Sequence, residues 1–173
     1  MQSPIQALLI MGVAGCGKSS VSQALCARNG AFAIEGDAYH PTTNIQKMSA
    51  GIPLTDDDRA GWLATLANEL RSAVAAGRYP VLTCSALKRR YRDQLRAAVP
   101  GLGVVFLELT PQDAVRRVAE RAGHFMPASL IDSQFATLEA PHSEPLTLAL
   151  DATLPVEQLA DAALAWSLNP AAD

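Results

Sequence analysis

The sequence has no surplus of positive charge: 14 Lys and Arg stand against 17 Asp and Glu, a formal net charge of −3, and the basic residues are scattered rather than massed into a stripe. That removes the electrostatic footprint of a nucleic-acid binder, and no such partner is expected. Cysteine is scarce as well. Cys16, Cys26 and Cys84 are an odd set without framework spacing, which argues against a disulfide-stapled fold and for a reducing, cytoplasmic setting. No apolar run approaches the roughly 20 residues that cross a bilayer, so no membrane association is expected. The start, Met1-Gln2-Ser3-Pro4, carries no basic cluster, and the short apolar run after it enters a glycine-rich turn where a secretory leader would carry a cleavage site. Internal repeats and low-complexity tracts are also missing. What remains is a chain of 173 residues, 49% hydrophobic and 18% charged, suited to one globular domain (1–173) with a substantial core.

What is present begins with Gly12-Val13-Ala14-Gly15-Cys16-Gly17-Lys18-Ser19, directly after the apolar run 7–11, matching the phosphate-loop pattern G-x-x-x-x-G-K-[ST] at every fixed position. Glycines let the backbone turn its N–H groups inward, and the positive end of the following helix adds to them, so a nucleotide phosphate is held without side chains. Lys18 supplies a mobile positive charge, Ser19 a hydroxyl for a magnesium ion shared with the nucleotide, and Ser20 extends the nucleotide-binding set. A chance glycine-rich turn would lack the flanking strand and the helix expected over 19–28. The implied cofactors are ATP and Mg2+.

Strand-like runs at 7–11, 31–35, 81–84, 103–109 and 146–150 alternate with helical spacing at 62–76, 87–99, 111–122 and 155–166. This predicts an α/β fold: a three-layer sandwich around a parallel five-stranded sheet, with all strand C-termini on one edge. Ligands bind at that edge, so the residues just beyond each strand are the ones to weigh. The alanine-rich tail after Leu168 is expected to fray.

After the second strand comes Glu35-Gly36-Asp37-Ala38-Tyr39-His40-Pro41. Asp37 is the candidate base for an attacking hydroxyl and a candidate partner of the magnesium hydration shell; a turn residue, or an N-cap for a helix after Pro41, is its other reading. His40 is as much a turn residue as a ligand. The third strand leads into Cys84-Ser85-Ala86-Leu87-Lys88 without the acidic residue usual there, so magnesium is expected to lean on Ser19, phosphate, water and Asp37. Lys88 and Arg92, four apart, fit either an anion-reading pair or a solvated basic face. Asp56-Asp57-Asp58-Arg59 reads first as an acidic helix start, with Arg59 able to point inward. Arg117 and Arg121, ahead of Gly123-His124-Phe125, suit a small mobile lid at about 117–139 that neutralises transferred charge and excludes water, surface helix charge being the alternative.

Taken together, the loop 12–19, Glu35-Gly36-Asp37 with His40-Pro41, Asn44-Ile45-Gln46-Lys47-Met48, Gly51-Ile52-Pro53-Leu54, 56–59 with Trp62-Leu63, Cys84 to Lys88 with Tyr91-Arg92-Asp93, and Gly123-His124-Phe125 with Ser133-Gln134-Phe135-Ala136-Thr137-Leu138-Glu139 resemble the bacterial gluconokinases, a small phosphate-loop family with a nucleoside-monophosphate-kinase-like fold. The resemblance runs from about residue 8 to 144 and implies transfer of the ATP γ-phosphate to the 6-hydroxyl of D-gluconate by a homodimer. It places Asp37, His40, Arg59, Lys88 and Arg92 around the sugar acid, Arg117, Arg121 and His124 in or near the lid, and Lys18, Asp37 and Arg121 at the chemistry. Shikimate kinases resemble a pattern with a glycine triplet where this chain has Cys84-Ser85-Ala86. A nucleotide-dependent switch would use Asp58-Arg59-Ala60-Gly61 as a D-x-x-G element, yet no N-K-x-D motif accompanies it.

Overall fold

The computed structural model describes residues 4–120 and 128–171. In chain order the elements are β1 (Ala7–Met11), α1 (Lys18–Asn29), β2 (Phe32–Glu35), a 3-10 turn (Gly36–Tyr39), α2 (Thr42–Ser49), α3 (Asp56–Ala75), β3 (Pro80–Thr83), α4 (Arg89–Ala98), β4 (Leu102–Glu108), α5 (Pro111–Glu120), α6 (Ala128–Thr137), β5 (Thr147–Asp151) and α7 (Val156–Leu168). The strands form one parallel sheet in the order β2-β3-β1-β4-β5. Each of the five expected strands is present with its ends moved by a residue or so. The helix read from residue 62 starts earlier, at Asp56, because Thr55 caps it: the Thr55 hydroxyl accepts from the Asp58 N–H while the Asp58 carboxylate accepts from the Thr55 N–H. Asp58 to Gly61 are thus the first turns of a helix.

Helices on both faces explain why β1 is apolar at every position. Leu8 and Ile10 face one layer with Val21 and Leu25 of α1 and Leu159 and Ala163 of α7. Ala7, Leu9 and Met11 face the other, against Leu63, Leu66 and Leu70 of α3 and Leu95 of α4. The period of two along the strand divides the side chains between these layers. Two central strands, β1 and β3, therefore carry their C-terminal loops to the middle of the open edge, with β2 alongside: Glu35 lies in register with Thr83. At that edge Gly36 passes so close to β3 that a Cβ on it would meet the Thr83 carbonyl oxygen at 2.3 Å, which any other residue would have to relieve by moving the turn.

Candidate active site

A cavity of about 790 Å³ opens on the C-terminal edge of the sheet. Gly15, Gly17, Lys18, Ser19 and Ser20 line one end, Asp37, His40, Arg59 and Trp62 the other, and Arg117 and Gln134 border it from α5 and α6. At the phosphate loop, Gly17 caps α1 in the left-handed region, φ 95°, so the first N–H groups of the helix are left facing the cleft. The Lys18 ammonium bonds to the carbonyls of Gly12 at 3.0 Å and Val13 at 3.1 Å, folded against its own loop. Arg117 reaches across from α5, donating to Ala152 O at 2.8 Å and approaching Gly15 O at 3.4 Å. Gln134 accepts from the Ala14 N–H at 2.7 Å, joining α6 to the loop.

Cys16 departs from the nucleotide-contact expectation in its side chain, which is buried in the core beneath the loop: a Cβ on Gly12 would lie 2.6 Å from its sulfur. Packing leaves only its backbone available to a ligand. The Gly12 carbonyl is likewise engaged with Lys18 rather than the cavity.

No acid follows β3, but a carboxylate of the neighbouring strand stands beside Ser19. Ser19 Oγ donates to Glu35 Oε2 at 2.9 Å, and Thr83 Oγ1 donates to the same oxygen at 2.7 Å. Sequence reasoning passed over Glu35 because it looked for an acid on β3 itself; the strand order, which puts β2 beside β3, is the signal that would have found it.

Asp37 stands on the 3-10 turn with its side chain 89% exposed to the cavity and solvent, and His40 Nε2 lies 3.7 Å from its Oδ1. It does not cap α2, whose N-cap is Pro41. His40 is stacked on Trp62, ring centroids 3.9 Å apart, and Trp62 Nε1 donates to Gly36 O at 2.8 Å, which ties the indole to the turn. Burial pushes the His40 pKa down; the Arg59 charge works in the same direction, and Asp37 opposes both. Arg59 reaches the cavity from the first turn of α3, bonded to the Tyr91 hydroxyl at 3.3 Å and lying over its ring.

Lys88 and Arg92 are not brought together. Lys88 is the residue before α4, extended at φ −102° and ψ 146°, so the one-turn spacing that would align the two does not apply. Its ammonium pairs with Asp56 at 3.1 Å, away from the cavity lining. Tyr91, Arg90 and Lys88 together hold the Asp56 carboxyl well below the usual carboxylate range. Arg92 is a correction to the acceptor set. Its side chain is fully buried, with Nε and Nη2 on the Glu144 carboxylate at 2.9 and 2.5 Å, Nη1 on Ala86 O at 2.7 Å and Nη2 on Glu139 O at 2.7 Å. With those donors spent on the protein, it braces the β3–α4 loop against the segment after α6. Arg121 and His124 lie outside the described residues.

Comparisons with known proteins agree with this fold. A family model described as an AAA domain matches residues 8–145. The gluconokinase of Gluconobacter oxydans is 52% identical over 134 residues, 78% of this chain and 75% of that protein. Among solved structures, a gluconokinase from Sinorhizobium meliloti is 46% identical with a TM-score of 0.86, covering 98% of this chain and 97% of that one. An unliganded sugar kinase from Janibacter is 42% identical with a TM-score of 0.90, covering 97% and 98%.

Proposed function

The chain belongs to the gluconokinase family, and from that premise we propose that it transfers the γ-phosphate of ATP to the 6-hydroxyl of D-gluconate, giving 6-phospho-D-gluconate and ADP. The observation that carries the reading is one cavity lined at one end by the phosphate loop and at the other by a carboxylate, an imidazole and a guanidinium suited to a polyhydroxy acid.

At the donor end, backbone N–H groups and Lys18 hold the phosphates, the ammonium leaving its loop carbonyls to follow the charge that grows on the transferred group. Asp37 accepts the proton of the attacking hydroxyl, His40 contacts the sugar chain, and Arg59 pairs with the carboxylate of the acid. Ser19, Glu35 and Asp37 form a set of hard oxygen donors that suits Mg2+, with Glu35 joining the two residues expected from sequence. Bound there, the metal would neutralise charge on the nucleotide phosphates. Arg117 adds positive charge above the loop; the segment 117–139, with Arg121 and His124, acts as the lid that keeps water from the γ-phosphate. A homodimer in a cytoplasmic setting completes the reading, supported in the second part by three free thiols.

The test is ATP consumption with and without D-gluconate, with the product's phosphate ester located by NMR. ADP release that requires gluconate, yields the 6-phosphate and drops steeply with glucose is the expected result. Release that ignores the acid, or equal use of glucose, contradicts the proposal.

A further inference from the structure

The segment Asn44-Ile45-Gln46-Lys47-Met48 forms most of α2, and Asn44 is its buried polar residue, 2% exposed. Asn44 Nδ2 lies 2.9 Å from the backbone carbonyl of Asp58 and 3.3 Å from His40 Nδ1. A carbonyl oxygen only accepts, so the Asn44 atom facing it is the amide nitrogen and not the oxygen. That same NH2 group has a second hydrogen, and His40 Nδ1 can meet it only with a lone pair. Asp58 is itself fixed, since its carboxylate and N–H close the capping box with Thr55 and its side chain also pairs with Lys47 at 2.8 Å. The orientation therefore runs from the start of α3 through Asn44 to the imidazole.

We propose that Asn44 is a positioning residue that locks His40 as the neutral tautomer with its proton on Nε2, so that an N–H donor and the acceptor carboxylate of Asp37 stand side by side at the sugar-binding end of the cavity. The inference deepens the gluconate-kinase reading and rests on it for its consequence, though not for the tautomer. Nε2 lies 3.7 Å from Asp37 Oδ1, too far for a hydrogen bond between them; the Asp37 side chain is open to the cavity, and the imidazole, 4% exposed, borders it from the wall. One donor beside one acceptor fits a polyol, whose hydroxyl groups each give one hydrogen and offer lone pairs. The opposite tautomer would present two acceptors and lose a bond. The surroundings act in the same sense. Trp62 covers the ring face, and a proton on Nδ1 would confront the Asn44 NH2.

The tautomer is read directly from 15N spectra of the full chain labelled at histidine, with His40→Gln identifying the His40 signals. The expected result is a protonated Nε2 and a bare Nδ1 from neutral pH upward, without nucleotide or sugar. A proton on Nδ1, or a cationic ring at neutral pH, would overturn the proposal. Asn44→Asp puts a carboxylate oxygen in place of the amide. It should draw the proton to Nδ1 and cut kcat/KM for gluconate by up to about tenfold, the size of one lost hydrogen bond, with the KM for ATP little changed. An unaltered tautomer together with unaltered gluconate kinetics in that variant also defeats the assignment. Should Asn44→Asp fail to fold, the wild-type spectrum decides alone. Wild-type protein that consumes no ATP with gluconate would defeat the kinase reading, while the spectrum still judges the tautomer.

Discussion

The two ends of the cleft are built by different means. At the end proposed for the donor, one continuous stretch, residues 12–19, offers its own backbone together with the side chains of Lys18 and Ser19. At the acceptor end Asp37 comes from a 3-10 turn, His40 from just beyond it, Asn44 from α2, and Arg59 and Trp62 from α3; they meet only because α2 and α3 dock through Asp58 and because Trp62 is tied to Gly36 O. A backbone cradle is a local property of a chain. A wall of side chains depends on tertiary packing, and its members cannot be chosen by spacing alone.

The comparison breaks most sharply at Lys18. Lys18→Ala should lower turnover by about 10³-fold or more while the melting temperature stays close to wild type, because the ammonium acts on charge formed in the transition state and its resting bonds are to its own loop. Near-normal turnover would show that the loop is not a catalytic phosphate site.

At the other end, Arg59→Met should raise the KM for gluconate roughly ten- to more than a hundredfold, matching the 1.5 to 3 kcal/mol of a charge-assisted hydrogen bond, and leave the KM for ATP nearly unchanged. Lys88→Met should alter it by no more than a few-fold, since that ammonium is engaged with Asp56 outside the cavity. The reverse ranking, measured by steady-state kinetics on both variants, would restore Lys88 to the acceptor wall.

Smallest in its effect on the reaction, and large in stability, is Arg92→Met. Removing Arg92 leaves the buried Glu144 carboxylate with Arg96 as its remaining cation and should cost about 3 kcal/mol in denaturant unfolding, the low end for a broken buried pair, with substrate KM values of the folded fraction held. Burial pushes the Glu144 carboxyl up, but the hydrogen bonds from Arg92 and Arg96 outweigh it and the net direction is down. A carboxyl lowered by folding contributes its full stability above the ordinary carboxylate pKa and loses it as pH falls through the depressed value. The wild type should therefore lose stability on acidification more steeply than Glu144→Gln.

Sheet class, strand positions and the phosphate loop were legible because apolar periodicity and glycine spacing are local signals. Asp37 is a candidate for a similar reason: it follows a strand at the edge where ligands bind. Glu35 is not legible in this way, since its place beside Ser19 and Thr83 depends on β2 lying next to β3, a fact of strand order. Lys88 and Arg92 misled for a related reason. Helical spacing puts residues four apart on one face only where both are in the helix, and α4 starts at Arg89. Charge on Arg92 said nothing of its partner Glu144, which stands 52 residues away.

The most direct test of the account is the turnover of Asp37→Asn with D-gluconate and ATP, beside nucleotide affinity measured by equilibrium binding. The amide keeps the shape of the carboxylate and cannot take a proton. A fall in kcat of about 10²- to 10⁴-fold with ATP affinity little changed is the predicted result. Turnover within a few-fold of wild type would contradict it and make Asp37 a turn residue at the mouth of the cleft.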